Sequence, residues 1–266
     1  EAPRSMTVHA KGSMLGRPFN WGPTLSVGKK NVSNKDSKRA VAAITDAYRR
    51  DQRGEQVLLP VIAYYGAGRI WLAHNERKKV RAKTNGAANR WEAFYDCLNE
   101  RIRLSDLNDW FRGEAVARGN RGTYRPGFEA VLRAVLRVVP GAESLEFDPD
   151  REEIVLSIDG NPQPFSNLSA GQQGLFALVA DIAIKMVTQN NYLVPPDALS
   201  DEDDPIPRVL TQTPGVVLID ELDVHLHPQW QRGIAASLKQ VFPSVQFIVT
   251  THSPQVIGEM QPCEVC

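Results

Sequence analysis

The chain has 266 residues, of which 42% are hydrophobic and 23% charged, and its 31 basic and 31 acidic side chains give a formal net charge of zero. These values fit one large globular domain, or a core with a small subdomain, and they exclude nucleic-acid binding driven by overall positive charge. The sequence contains no run of about 18 apolar residues, so no transmembrane helix is predicted. Three cysteines without a secretion signal favour a reducing cytoplasm over a disulfide framework.

Charged residues and cysteines are distributed unevenly. Lys and Arg are in surplus within residues 1–53, and residues 201–204 form an acidic run. We interpret both as solvated surface, with a nucleic-acid or partner patch as the alternative. Cys263 and Cys266 form one CxxC pair. A structural zinc site usually needs two such pairs, so two ordinary thiols are favoured over half of a zinc site.

The first part of the chain predicts loops, a short strand, a helix and a buried strand. Residues 1–36 are rich in Gly, Pro, Ser and Asn, with a strand expected at Met6–His9. Apolar residues recur at helical spacing over 37–53. The apolar run Val57–Tyr65 predicts a strand buried on both faces, although Pro60 lacks the N–H that a strand ladder needs.

The next segment predicts helices between two loops. Residues 74–90 are basic and rich in Gly and Asn, which indicates a loop. The pattern of Trp91–Ala117 predicts one or two helices, with Ser105 and Asp106 as candidate caps of the second. Gly and Arg dominate Arg118–Gly127, which predicts a mobile loop.

The middle of the chain combines the helical and the strand periodicity. In chain order it predicts a helix at Phe128–Val139, strands at Ser144–Phe147 and Glu153–Ile158, a helix at Gly171–Thr188 and a Pro- and Asp-rich linker at 190–214.

The last fifty or so residues alternate between strands and helices. The pattern predicts strands at Val216–Ile219 and Val245–Val249, a helix at Trp230–Val241 and the start of another at Gln255–Met260. This alternation is typical of a parallel α/β arrangement.

Two carboxylates, Asp220 and Glu221, directly follow the predicted buried strand Val216–Ile219. Ligand sites of open parallel sheets lie at the carboxyl ends of their strands. A first carboxylate there can hold Mg²⁺, and a second can orient or deprotonate an attacking water. The alternative interpretation is two exposed acids after a core strand.

A histidine, His252, follows the next predicted strand within Thr250–Pro254. A histidine at the tip of a neighbouring strand can hydrogen-bond a γ-phosphate and the attacking water. The alternative is an ordinary capped histidine, but the spacing after Asp220 and Glu221 favours the functional interpretation.

A third motif, Asn167–Gln173, precedes the predicted helix with the letters NLSAGQQ. A small hydroxyl residue and a glycine, here Ser169 and Gly171, leave backbone N–H groups at a helix N-terminus free to meet an anion. An ordinary N-cap by Ser169 is the alternative, and the two interpretations are compatible.

Together and in this order, the three motifs resemble those of the ABC-type ATPases. More narrowly they resemble the RecF/SMC-like branch, including PtuA-like ATP-binding proteins of prokaryotic anti-phage systems. Leu168–Gln172 resembles the signature loop LSGGQ, with Ala170 in place of its first glycine. Val216–Glu221 resembles Walker B with its catalytic glutamate, and Glu221–Gln231 resembles this branch's D-loop segment. The resemblance is specific over 144–258 and weaker over 57–72.

This resemblance implies an α/β fold of the P-loop NTPase class: a mostly parallel sheet flanked by helices, with a helical subdomain. It divides the chain into the remainder of an N-terminal lobe at 1–73, a helical subdomain or insertion at 74–143, and a lobe with the signature, Walker B and switch histidine at 144–266.

In this family, two heads enclose two ATP molecules between them. The resemblance implies that Asp220 holds Mg²⁺, Glu221 polarises water and His252, as the switch histidine, contacts the γ-phosphate. The residues implied to serve the ATP of the partner subunit, or to couple the two sites, are Ser169, Gly171, Gln172 and the D-loop Asp223.

A Walker A loop, GxxxxGK[ST], has no match in the chain. The nearest segment, Gly22–Lys30, has five residues between its glycines and a lysine where Ser or Thr is needed, and we expect it to be a loop. The chain as it stands is therefore expected to be a fragment that binds ATP poorly. Arg69 is a candidate contact to a phosphate or a partner. His225 and His227 are not expected to form a metal site, because zinc would need further ligands.

The sequence thus predicts ATP binding and hydrolysis by a cytoplasmic head that dimerises around ATP and serves a nucleic-acid-related or anti-phage process. The candidate partners are a second copy, a nuclease, and DNA or RNA, with no membrane. One alternative is a non-hydrolysing module that docks a nuclease or DNA. Another is a nuclease of the overcoming-lysogenization type, which would need an acidic metal-binding domain after His252.

Overall fold

The computed structural model describes residues 5–7, 10–14, 17–22, 24–26, 37–69, 90–94, 97–194 and 206–265. The chain divides into two compact units, Glu1–Leu59 and Pro60–Cys266. The predicted boundary at residue 73 and all of the predicted loop at 74–90 except Arg90 lie outside the described residues. The boundary at 143 falls inside a strand that begins at Ala142. The three-part division of the chain stays a prediction.

Among its described residues, the first unit holds short strands and one helix. Its elements are β1 (Ser5–Thr7), β2 (Ala10–Met14), β3 (Arg17–Trp21), β4 (Thr24–Ser26) and α1 (Ser37–Gln52). β1 pairs with β4 and β2 with β3, both antiparallel. The helix predicted over 37–53 is confirmed, whereas the segment Gly22–Lys30, expected to be a loop, contains β4.

In the part of the second unit that the structure describes, three parallel strands form one sheet and a separate sheet is antiparallel, with helices packed against them. In chain order its elements are β5 (Val61–Tyr65), α2 (Leu104–Arg121), α3 (Pro126–Val138), β6 (Ala142–Asp148), β7 (Glu153–Ile158), β8 (Asn161–Pro164), α4 (Ala170–Gln189), α5 (Arg208–Gln212), β9 (Gly215–Ile219), α6 (Pro228–Val241), β10 (Val245–Val249) and α7 (Pro254–Gly258).

The parallel sheet has the strand order β10-β9-β5. Its register sets Tyr65 and Val249 on either side of Ile219, so the three strands end at the same level. β5 begins directly after Pro60, which shortens the predicted strand and removes the proline from the ladder. The backbone N–H of Val61 then donates to the carbonyl of Pro214 at 2.8 Å. The predicted α/β class is confirmed.

Helix α4 is the core helix of the second unit. Twelve of its residues are buried, including Phe176, Ile182 and Met186, and it packs against α3 and β5. By length and composition it is apolar enough to cross a membrane, and 61% of its most apolar window is buried inside the protein. A helix surrounded by a protein core has the same composition, which accounts for this one.

Two details of the helical region differ from the sequence predictions. The mobile loop expected at Arg118–Gly127 is wrong, because α2 continues to Arg121 and α3 starts at Pro126. Gly122, with a φ of 79°, ends α2 in the left-handed conformation that glycine tolerates. The caps expected at Ser105 and Asp106 are also wrong, since the N-cap of α2 is Arg103 and makes no side-chain cap bond.

Candidate functional site

The predicted carboxylates and the predicted histidine lie on neighbouring strand ends. Because Ile219 and Val249 are paired in register, Asp220 and Thr250 are the first residues beyond β9 and β10. The Thr250 hydroxyl donates to Asp220 Oδ1, and the backbone N–H of Glu221 donates to Thr250 Oγ1 at 2.9 Å. The structure therefore joins the Asp220 carboxylate and the Glu221 backbone to the segment that leads into His252.

Asp223 is tied to the same segment by its side chain. Its Oδ1 accepts from the Thr251 hydroxyl and from the backbone N–H of His252, the latter at 3.3 Å. The His252 side chain itself is exposed. Asp220, Glu221, Asp223 and His252 thus form one cluster at the carboxyl edge of the parallel sheet, where ligands of such sheets bind.

The turn after β9 has an uncommon backbone conformation. Glu221 and His225 have positive φ values, 48° and 61°. Left-handed conformations cost a non-glycine residue on the order of 1–3 kcal/mol and persist only where surrounding contacts impose them. Internal hydrogen bonds help: the N–H of Val224 donates to the Glu221 carbonyl and that of Leu226 to the Asp223 carbonyl, at 3.1 and 3.0 Å.

Arg69 packs against this turn, and its location differs from the sequence prediction. Its side chain is buried, with only 3% of the residue exposed, so the expected contact with a phosphate or a partner is wrong. The guanidinium instead donates to backbone carbonyls of the turn, including that of Asp220 at 2.9 Å. Burial lowers the pKa of Arg69, while the negative charges of Asp223, Asp220 and Glu221 oppose that shift.

Tyr65 connects the strand ends to α4. Its carbonyl accepts the backbone N–H of Asp220 at 2.8 Å, and its hydroxyl donates to Asp181 on α4 at 2.6 Å. Asp181 also pairs with Lys185 one helical turn further on. Burial, followed by the Asp181 charge, raises the pKa of Tyr65 well above its usual value. The hydroxyl is therefore a stable hydrogen-bond donor.

The signature-like motif forms a capping box at the start of α4. Ser169 Oγ accepts from the backbone N–H of Gln172 at 3.3 Å, and Gln172 Oε1 accepts from the backbone N–H of Ser169 at 3.0 Å. Ser169 is exposed, as the predicted contact with a second molecule requires. The N-cap alternative is thus confirmed, and it leaves the anion-binding interpretation open.

Gly171, the next residue of the motif, is buried against the turn after β9. A Cβ atom placed on Gly171 would lie 2.3 Å from the carbonyl oxygen of His225. Packing within this chain therefore explains the glycine at this position, because it lets the start of α4 approach the D-loop-like segment. Its predicted contact with ATP on a partner subunit stays a prediction.

The other metal-site candidates gain no support. His227 caps α6, its Nδ1 accepting from the backbone N–H of Gln229 at 3.3 Å, and the neighbouring His225 is exposed. Over the described residues, no three His, Cys, Asp or Glu side chains are grouped to hold a metal ion. Cys266 lies outside the described residues, so the terminal CxxC pair is not described as a unit.

Replacing Ser169 by Ala should destabilise the protein by about 1 kcal/mol, because the Gln172 N–H loses its acceptor at the helix start. Equilibrium unfolding in urea measures this change. Ser166→Ala is a matched control, since Ser166 is exposed in the preceding turn and bonds to Glu153 and Gln173 through its backbone N–H and carbonyl. Equal unfolding free energies for the two variants would contradict the capping role.

The chain matches known proteins in the region that carries these motifs. Residues 154–258 match the family described as "AAA domain, putative AbiEii toxin, Type IV TA system". The "Retron Vc95 probable ATPase" of Vibrio cholerae serotype O1 biovar El Tor is 41% identical over 290 aligned residues, which cover 90% of this chain and 54% of the relative. The "Septu protein PtuA" of Bacillus mycoides is 29% identical, over 76% of this chain and 24% of the relative.

Among solved structures, the chain resembles the SMC head domain from Thermotoga maritima, with a TM-score of 0.47 and 14% identity over 97% of this chain and 68% of that one. The chain spans about half the length of the Vibrio cholerae retron relative and about a quarter of the length of Septu PtuA. The sequence matches confirm the resemblance inferred from the motifs: the chain resembles an ABC-type ATPase head of the RecF/SMC-like branch and is similar to retron ATPases and to Septu PtuA.

Proposed function

We propose that this chain supplies the hydrolytic edge of an ATP site and that two copies close around ATP. The observation that carries the proposal is the joining of Asp220 and Glu221 to the His252 segment through Thr250. Two isolated acids after a core strand would need no such connection. Here a carboxylate pair and an exposed imidazole are held at one sheet edge.

The oxygen atoms at this edge suit Mg²⁺. That ion is usually held in nucleotide enzymes by one or two carboxylates together with substrate phosphates and water, so a larger cage of protein ligands is not required. Asp220 would hold the ion, with its orientation fixed by the Thr250 hydroxyl. Bound Mg²⁺ would neutralise charge that develops on the phosphates.

Glu221 and His252 would handle the attacking water and the γ-phosphate. A carboxylate within hydrogen-bond reach of water can orient it or take its proton. The backbone of Glu221 leaves the strand conformation with a φ of 48°, and the hydrogen bond from its N–H to Thr250 Oγ1 holds that backbone. His252 projects from the adjacent strand end and can donate to phosphate oxygen.

The start of α4 would serve ATP bound to a second copy. Ser169 is exposed there, and the first-turn N–H groups of a helix attract anions. Asp223, half-buried between its own Thr251 and the surface, would couple the two sites across the interface. ATP would then join two heads, and hydrolysis would release them, as a ligand-driven shift between open and closed dimers.

The relatives suggest the process that this activity drives. Because the chain is similar to a retron ATPase and to Septu PtuA, the proposed process is anti-phage defence. A nuclease, or a DNA or RNA, would be the partner whose activity follows the state of the dimer. The non-hydrolysing module is the competing outcome of the experiment below: intact partner binding without ATP turnover would favour it.

Asp220→Asn in the full-length natural protein should lower Mg²⁺-dependent ATP turnover by at least about tenfold and weaken its apparent Mg²⁺ affinity, because an amide is a poorer ligand for a hard cation. Phosphate release at varied Mg²⁺ measures both. Asp150→Asn, in the exposed turn between β6 and β7, is the control. Wild-type protein without Mg²⁺-dependent turnover, or equal loss in both variants, would contradict the proposal.

A further inference from the structure

We propose that Arg69 is a positioning residue that fixes the backbone of the turn carrying Asp220 and Glu221. The inference rests on the proposed ATPase function and adds a residue to its machinery. The Arg69 guanidinium contacts main-chain carbonyls of the turn, so it acts on the reaction through the position of the carboxylates and not on the substrate itself.

The hydrogen bonds show how the guanidinium holds the turn. Arg69 donates to the carbonyl of Asp220 at 2.9 Å, to that of Glu221 at 3.3 Å and to that of Leu222 at 3.4 Å. Successive carbonyls in a strand point to opposite sides, so three consecutive ones can converge on a single group only where the backbone leaves the strand conformation. The positive φ of Glu221 marks this departure.

Arginine is suited to this task in a way that lysine is not. Its planar guanidinium presents five N–H donors in a fixed fork, whereas an ammonium is a compact charge on a flexible chain. Two nitrogens of Arg69 share the three carbonyls of the turn and a fourth at Gly66. Its Nε has no hydrogen-bond partner within the described residues, so the contacts are concentrated at the end that faces the turn.

Burying a cation is expensive unless nearby groups compensate for lost hydration. Arg69 is compensated twice, by carbonyl dipoles and by the charges of Asp223, Asp220 and Glu221. An apolar side chain could fill the same space without that cost. The charged fork is therefore best explained by what it does to the turn, namely holding the Cα–Cβ directions of both catalytic carboxylates.

Arg69 also ties the turn to the segment before α2. Its own carbonyl accepts the backbone N–H of Ile102 at 3.0 Å, and the N–H of Gly66 donates to the carbonyl of Glu100 at 2.9 Å. The backbone at both ends of the short Gly66–Arg69 turn is thus anchored, which keeps the guanidinium aligned under the carbonyls.

The test compares Arg69→Lys with Arg112→Lys, whose side chain is 45% exposed on α2, in the full-length protein. We expect Arg69→Lys to lower kcat by about 10- to 100-fold with KM for ATP within about twofold of wild type, because a small displacement of catalytic groups reduces turnover more than binding. Amide exchange should increase over 220–226 and stay unchanged in α4 and α6. Arg112→Lys should change none of these quantities.

A second variant keeps the proposal testable if Arg69→Lys does not fold. Arg69→Ala should recover part of its turnover, and of its amide protection over 220–226, in guanidinium chloride at a sub-denaturing concentration, but not in sodium chloride of equal ionic strength. If both variants lose protection throughout the second unit, or if the turn keeps its protection in Arg69→Lys, the positioning role is wrong. Wild-type protein without ATP turnover refutes the proposed function, while amide exchange still decides the role of Arg69 in the turn.

Discussion

Glu221→Gln should abolish measurable ATP turnover, with kcat falling by about 10²- to 10⁴-fold, while ATP binding is retained. Glutamine has nearly the same shape as glutamate and keeps a hydrogen-bonding oxygen, but it cannot accept a proton from water. The backbone N–H of Glu221, which donates to Thr250, is unaffected by the substitution. The turn should therefore keep its conformation, and only the chemical step should be lost.

Two measurements check this result. Single-turnover hydrolysis reports the chemical step, and size-exclusion chromatography with ATP and Mg²⁺ reports whether a dimer accumulates, since a head that binds ATP without hydrolysing it should stay closed. Glu259→Gln is the control, because Glu259 is an exposed acid directly after α7. Turnover near the wild-type value in Glu221→Gln would remove Glu221 from the proposed mechanism.

Gly171→Ala should destabilise the second unit by about 1–3 kcal/mol and lower turnover as well. The added Cβ would lie 2.3 Å from the His225 carbonyl oxygen, and the obstacle is backbone, which cannot rotate away as a side chain can. Either α4 or the turn after β9 must move. Because that turn also carries Glu221 and Asp223, the displacement should reach the proposed catalytic cluster.

Gly233→Ala provides the opposite result as a control. Gly233 lies inside α6, and a Cβ there would meet nothing within 4 Å. Alanine should stabilise this helix by about 0.4–1 kcal/mol, because it restricts the unfolded chain more than glycine does. Urea unfolding of both variants measures the contrast. If Gly171→Ala is as stable as Gly233→Ala, the close packing of α4 against His225 is wrong.

The elements that the sequence predicted well are those in which local pattern and burial agree. The parallel strands at 215–219 and 245–249 are short apolar runs, and polar residues at their ends imply a shared edge. β8 was missed because Pro162 and Pro164 suggest a turn, although proline is tolerated at the edge of a sheet. α5 was missed because five residues within a Pro-rich segment give no helical period.

The carboxylates and histidine of the candidate site were predictable for the same reason, since each follows a recognisable strand. Arg69 was not, because its partners lie 151–153 residues away in the chain and an arginine after a glycine turn more often faces solvent. Likewise, the Gly- and Arg-rich end of α2 suggests a loop. Tertiary packing of buried residues such as Leu107 and Phe111 supports the helix that leads into it.

The adjacent threonines after β10 have a consequence for protein engineering. The Thr250 hydroxyl holds Asp220, and the Thr251 hydroxyl holds Asp223, so two adjacent residues anchor both aspartates. In the proposed dimer these aspartates serve different purposes, one in each subunit's own reaction and one in communication with its neighbour. A change at either threonine should therefore disturb both purposes together, with non-additive effects, and variants that uncouple the two subunits are better sought at other positions.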